Sequence, residues 1–464
     1  MSYLGIIIAF LLGASFVATV IGKFSFLEIL GFSFPAGMGI ITIAMFLLDV
    51  SGFAITRTNL LWVIVLSILV LNYKLFISPR NTLGKFKTTN YKAFFYVGKF
   101  NLVWLLFVGV VLLILIGITI KSLYWPTAAS DSISSFDLFG KVIASEGKLM
   151  NSLIYEKRVG FGAAYPPLYA LSLAYSYIFG CEMSKIIPVL FFISFVISFY
   201  ALSLRNVSSL GAIVGTFFFM ISPELLAQSA INTTSITQAM YGALGIIAIL
   251  TWNNTKEKKY LLLSVLMVAL NGWIRSEGIV YIGAAFLFYS YITIREKEYI
   301  KPILFLLVSM LPFVLWQLFL KSHIDLMDQF VQVEIKIIPN FDGDYISRIL
   351  FETKKNFFHK IYFGITVYVF MGAIVLNFIW FFLKKESLVT LIVVLIPLIA
   401  YLLLLNQLVL RADSIEGIMR SSAKRFFFGT IILMWFYAAQ VYPVKTLFSK
   451  IETYLGIPKA VKKQ

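Results

Sequence analysis

Apolar and polar residues fall in blocks along this chain. Runs of about twenty apolar residues, the length that carries an α-helix across a bilayer, recur along the chain between short polar connections. The pattern predicts about thirteen spans, at 4–21, 36–53, 60–77, 100–120, 186–204, 209–221, 237–252, 260–273, 277–294, 302–320, 361–383, 387–408 and 426–443. Two of these, 209–221 and 260–273, are short for a full crossing and are expected to break or to extend through polar residues buried in the bundle. The short alternating segments of a transmembrane barrel are missing, so the expected class is an all-α polytopic membrane protein.

Charge orients the spans. Arg80, Lys85, Lys87, Lys92 and Lys99 fill one connection with no acidic residue. Lys256, Lys258 and Lys259 fill a second, Arg295, Lys297 and Lys301 a third, and Lys384 and Lys385 a fourth; Lys459, Lys462 and Lys463 close the tail. These are expected to be cytoplasmic. The segments 121–165, 222–236, 321–360 and 409–425 balance their charges and are expected outside. The sides alternate from residue 79 onward only if 166–180 does not cross. That stretch opens on Pro166 and Pro167 and is rich in Tyr and Ser, so it is expected to be a helix lying on the outer surface. Lys23, Glu28 and Arg57 are too few to orient the first three helices.

Composition narrows the class. Apolar residues make up 60% and charged residues 13%, with a mean hydropathy of +0.90; a soluble domain carries roughly a quarter charged residues. The net charge of +17 is accounted for by basic loops that hold topology, and no nucleic-acid partner is expected. Cys181, the one cysteine, forms no internal disulfide, and two histidines make no His-rich metal site. The run "YLGIIIAFLLGASFVATVI" has no basic lead and no cleavage signature, and reads as a retained helix. The organisation expected is N-terminal helices with a basic loop (1–99), a transmembrane core (100–445) and a basic tail (446–464).

Several polar stretches stand out against this background. "WPTAASDSISSFDLFGKVIASEG" sets Asp131, Asp137, Lys141 and Glu146 against an apolar wall. "WIRSEGIVY" places Arg275 and Glu277 between two apolar segments, either as a tight turn facing headgroups or drawn into the bundle rim, where ionisable residues mark sites. "MRSSAKRFFFGT" places Arg420, Lys424 and Arg425 before the last span, as snorkelling anchors or as a phosphate clamp, since guanidinium groups bind phosphate bidentately. "SPELLAQSAINTTSITQAM" holds Glu224, Gln228, Asn232 and Gln238, which either satisfy a buried loop or line a sugar pocket. Three N-glycosylation sequons decide nothing.

Taken in order, these pieces resemble the C-type (GT-C) membrane glycosyltransferases, nearest to the protein mannosyltransferase and aminoarabinose transferase-like groups. "DSISSFDLFGKVIASEG" resembles the acidic first-loop motif, "AYPPLYALSLAYSYIFG" the surface helix, "LRNVSSLGAIVGTFFFMISPELL" the turn and helix ending in Ser-Pro, "WIRSEGIVY" the Arg-Pro-Glu-Gly element, and "SSAKRFFFGTII" the late Ser-x-x-Arg motif. The likeness covers residues 100–445. No histidine precedes Pro166, and Ser235 or Thr237 stands where an acidic residue is often found.

The resemblance implies a GT-C-like fold with juxtamembrane helices in the first outer loop. It implies transfer of a sugar, with inversion, from a polyprenyl-phosphate donor to a lipid, glycan or protein acceptor. The reaction would run on the outer face of a prokaryotic plasma membrane. Asp131 would be the general base, with Asp137 the alternate. Arg425, with Lys424 or Arg420, would hold the leaving phosphate. Lys141 would contact phosphate or orient Asp131, and Arg275, Glu277 and Tyr165 would contact substrate. No cofactor is expected, a divalent metal being left open. Competing classes are a lipid or oligosaccharide flippase, a non-catalytic subunit on the same fold, and a surface-polysaccharide polymerase. A flippase would place polar residues at mid-bundle.

Overall fold

The structure is a computed structural model describing residues 3–73, 94–99, 101–127, 129, 131–156, 158, 164–183, 185–323, 343–383, 386–409 and 424–455. The loop 79–93, residues 324–342 and 410–423 with Arg420, Lys384 and Lys385, and the tail from 456 lie outside the described residues.

The described residues are helical and contain no strand. In chain order the main helices are α1 (Leu4–Phe16, prolonged by a π-helical turn to Ile21), α2 (Phe26–Val50), α3 (Arg57–Leu71), α4 (Leu102–Tyr124), α5 (Asp137–Glu146), α6 (Leu168–Ile178), α7 (Ile186–Ser203), α8 (Ser209–Met220) and α9 (Pro223–Gln228). There follow α10 (Thr234–Thr255), α11 (Lys258–Gly272), α12 (Ile279–Arg295), α13 (Ile300–Ser322), α14 (Gly343–Phe357), α15 (Thr366–Phe382), α16 (Val389–Val409), α17 (Phe428–Gln440) and α18 (Tyr442–Tyr454). Every predicted span carries a helix. Among the described residues, seven helical segments are long and apolar enough to cross a bilayer, or up to eight if the pair α17 and α18, bent by 63°, counts as one. The chain is a multi-pass membrane protein.

The clearest departure from the expected boundaries is at α2. It starts at Phe26, ten residues early, because Ser25 and Glu28 form a reciprocal capping box that satisfies the first free N–H groups; Pro35 is absorbed inside the helix. α3 runs to Leu71, and residues 74–77 of its expected span lie outside the described residues.

α1 and α2 cross closely enough that a Cβ at Gly13 would lie 1.7 Å from the Ser33 carbonyl oxygen, and one at Gly37 1.9 Å from that of Ala9. Small residues at such crossings let backbones meet where lipid offers no hydrophobic drive. α2 in turn packs on α7, and the Tyr241 hydroxyl of α10 donates to the Pro35 carbonyl at 2.7 Å. α1 and α2 are thus built into the core. At its centre α10 is buried from Thr234 to Trp252, packed between α11 and α17.

Contacts between helix ends sort the bundle into two poles. At one, Lys259 donates to the Lys23 carbonyl, Lys99 N–H to Ser209, and Glu452 of α18 caps the first turn of α8 through Leu210 N–H. This is the basic pole. At the other, Ser122 donates to the Lys185 carbonyl, Leu168 N–H to the Trp273 carbonyl, and Trp316 Nε1 to the Ala164 carbonyl. α6 begins and ends at this second pole, so the chain does not cross between Pro166 and Gly180. It does not lie on the surface as expected. α6 is buried from Leu168 through Ser176, where the hydroxyls of Ser172, Tyr175, Ser176 and Tyr177 find partners while that of Tyr169 has none among the described residues. Tyr175 donates to the Gly5 carbonyl at 2.8 Å, Tyr177 to Asp137 at 2.6 Å, and Ser172 to the carbonyl one turn back at 2.7 Å.

Candidate functional site

The second pole gathers most of the charged residues singled out above. Asp131 heads a π-helical turn, Ser132–Phe136, that runs into α5. Ser132 Oγ donates to the Asn232 carbonyl at 2.8 Å, tying this turn to the segment before α10. Arg425, in the short turn Lys424–Phe426 ahead of α17, donates through one terminal nitrogen to Asp131 Oδ2 at 2.9 Å. Their side chains are 28% and 31% exposed, so the pair is open to a ligand. Arg425 Nε is buried and has no partner among the described residues. An unsatisfied buried donor is costly, so this edge of the guanidinium is suited to an incoming acceptor.

Arg275 and Glu277 are drawn into the bundle. Arg275 donates to both Glu277 oxygens, at 2.8 and 3.2 Å. Its guanidinium covers the Tyr165 ring at 4.8 Å and the Phe426 ring at 5.6 Å, and reaches the Tyr165 hydroxyl at 3.4 Å. Phe136 stacks on Tyr165, with centroids 6.0 Å apart and planes 12° apart. With Phe136 against its ring and Arg275 over it, Tyr165 can meet a ligand through its edge and hydroxyl rather than as a stacking platform. The Arg275 charge pulls the Tyr165 phenol down, but burial and the carboxylates of Glu277 and Asp131 outweigh it and hold the phenol above its ordinary range. Tyr165 therefore stays protonated at neutral pH and is a donor.

Lys424 pairs with Glu224 at 2.7 Å and sits over the Tyr362 ring at 4.8 Å. Each of the three cations Arg275, Lys424 and Arg425 thus has one carboxylate partner. Asp137 behaves differently from Asp131. It is buried and accepts from Tyr177 at 2.6 Å, from Asn232 Nδ2 at 3.5 Å and from Lys141 at 3.0 Å. Lys141 is 55% exposed and turned to Asp137, so it does not orient Asp131. Asp137 anchors α5 to α6 and to the segment before α10.

Sequence reasoning did not pair Glu224 with Lys424, nor single out Tyr177, Tyr362, Phe426 or Tyr401. Tyr401 Oη donates to the Glu277 carbonyl at 3.4 Å and accepts from Gln238 at 2.9 Å, closing the site's floor. The one signal for Glu224 was its position, directly after Ser222-Pro223 in a predicted outer connection. Among the described residues no group of three His, Cys, Asp or Glu side chains is placed to hold a metal.

The arrangement presents one accessible carboxylate, a guanidinium with bonding capacity left over, and two further cations with aromatic backing. Chemically, that set can accept a proton and hold a phosphate within the same few ångströms. Comparison with known proteins returned no matching family model, no similar curated protein and no similar solved structure.

Proposed function

We propose that this pole is the active site of a GT-C-type glycosyltransferase that moves a sugar from a polyprenyl-phosphate donor to a lipid, glycan or protein acceptor. In this reading all the predicted spans cross a prokaryotic plasma membrane, and the pole faces outside. The observation that carries the reading is the Asp131–Arg425 pair. Two residues 294 positions apart meet at 2.9 Å, from two loops whose motifs resemble the family's acidic and arginine elements, and the arginine's Nε has no partner among the described residues.

The reaction follows from these roles. The donor phosphate engages Arg425 bidentately, which loosens its hold on Asp131. An acceptor hydroxyl attacks the anomeric carbon in line, and its proton passes to Asp131. The anomeric carbon–oxygen bond breaks, and the lipid phosphate departs with its negative charge held by Arg425 and Lys424. Arg275 and Glu277, fixed by Tyr165 and Tyr401, orient the sugar. Among the described residues the charged side chains collect at the two poles, which favours this reading over a flippase.

Donor binding tests it. Purified wild type, Arg425→Lys and Arg425→Ala are titrated with a polyprenyl-phosphate sugar. The lysine keeps the charge but not the planar fork, so both variants should bind at least roughly tenfold more weakly. Equal affinity in all three removes Arg425 from the site. Mass spectrometry of lipid and glycan products with and without the protein separates transfer, polymerisation and transport.

A further inference from the structure

A groove at the same pole carries charges that the transfer reaction leaves unused. It is a cavity of about 540 Å3 between the ends of α2 and α13 and the turn after α5. Phe46, Leu47, Leu318 and Phe319 line its deep part, and Asp49, Lys148 and His323 its rim. An aromatic wall of Phe46, Trp273, Trp316 and Phe319, with ring centroids 5.2–6.4 Å apart, separates it from Tyr165.

Depth and charge are graded along the groove. α2 and α13 both end at this pole, so Asp49 and His323 lie at headgroup level. Phe46 and Leu318 lie about one turn deeper. Leu47 and Leu318 are 49% and 60% exposed, which opens the groove sideways to where acyl chains would run. At the rim, Asp49 Oδ1 accepts the Leu149 N–H at 3.1 Å. That bond fixes the carboxylate beside Lys148 and His323, which line the same rim. The rim therefore presents one anionic and one cationic pole side by side, above an apolar slot.

We propose that the groove binds one phospholipid with a zwitterionic, amine-bearing headgroup. The phosphate lies on Lys148 and His323, the ammonium donates to Asp49, and the acyl chains lie over Phe46, Leu47 and Leu318. A purely anionic headgroup leaves Asp49 unpaired, and a quaternary amine has no N–H to donate to it. The proposal is independent of the sugar-transfer reading.

The test is native mass spectrometry of the full chain in detergent, after incubation with dioleoyl-phosphatidylethanolamine, dioleoyl-phosphatidylglycerol or dioleoyl-phosphatidylcholine. The wild type should retain one phosphatidylethanolamine in preference to the other two. Lys148→Ala should lower that occupancy roughly twofold to fivefold, the range that one partly exposed charge contact supplies. Asp49→Asn should abolish the preference over phosphatidylglycerol. Leu318→Trp, at an exposed position where misfolding is not expected, should lower retention of all three by filling the slot. Equal retention across wild type and variants overturns the proposal. So does displacement of the lipid by free phosphoethanolamine, which would make the rim a site for a soluble headgroup.

Discussion

Glu28 and Asp131 are both carboxylates held by an arginine from a distant part of the chain, and they are held in opposite ways. Glu28, at the basic pole, is fully buried. Arg205 donates to both of its oxygens, at 2.9 and 2.8 Å, Tyr260 donates at 2.6 Å, and Ser25 closes the set through its N–H and hydroxyl at 2.7 and 2.9 Å. Every bonding direction is used, so no ligand can enter without dismantling the network. Among the described residues, Asp131 is nearly a third exposed and takes one bond, from an arginine whose buried Nε has no partner there. A saturated ion network fixes a fold; an unsaturated one at a rim has capacity left for chemistry.

That contrast breaks most sharply if substitutions at the two carboxylate networks cost the same thing. Asp131→Asn should cut transfer by about 10²–10⁴-fold, the usual worth of a positioned general base, while the unfolding temperature in detergent barely moves. Asp137→Asn, assayed beside it, should retain far more activity, and the reverse order would move the base to Asp137. Arg205→Ala should do the opposite. Leaving the Glu28 carboxylate buried without its arginine should cost about 3–5 kcal/mol, visible as poor yield and early thermal unfolding, with transfer by the surviving folded fraction close to normal. Arg275→Lys sharpens the comparison within the site. It keeps the charge but loses the plane over Tyr165 and one bond to Glu277, for roughly 1–2 kcal/mol of stability in thermal unfolding. Lys141→Ala is the smallest, about 0.5–1 kcal/mol by the same measurement, because the lysine is more than half exposed and the buried Asp137 keeps Tyr177 and Asn232 as partners.

How legible each region was follows from the same physics. Charged residues in an apolar background are conspicuous, so Asp131, Arg275, Glu277, Lys424 and Arg425 were visible before any geometry, and the long apolar runs located the helices. Partnership was not visible. Glu28 served only as a weak orientation cue, since its partners lie 177 and 232 positions away, and nothing local marks Arg205 as theirs. α6 was misplaced for a related reason. Its Tyr and Ser residues suggest a wet surface, yet a hydroxyl inside a membrane bundle needs only one acceptor, and Gly5, Asp137 and α6's own carbonyls supply them. α2 begins ten residues before its expected start because the Ser25–Glu28 capping box sets it there.

The distance from Glu28 to Arg205 also has a meaning in time. At translation rates of about 5–20 residues per second, Arg205 leaves the ribosome roughly 9–35 seconds after Glu28, and Tyr260 later still. Throughout that interval α1 and α2 can already be joined at Gly13 and Gly37. The Glu28 carboxylate then has Ser25 as its one partner from the final network. The N-terminal hairpin therefore enters the membrane as an unfinished part, with its end at Glu28 held near water until α7 and α11 arrive. Synthesis order makes this ion network a late latch, and a pause or truncation before residue 205 would leave a hairpin with an unpaired acid for membrane quality control to recognise.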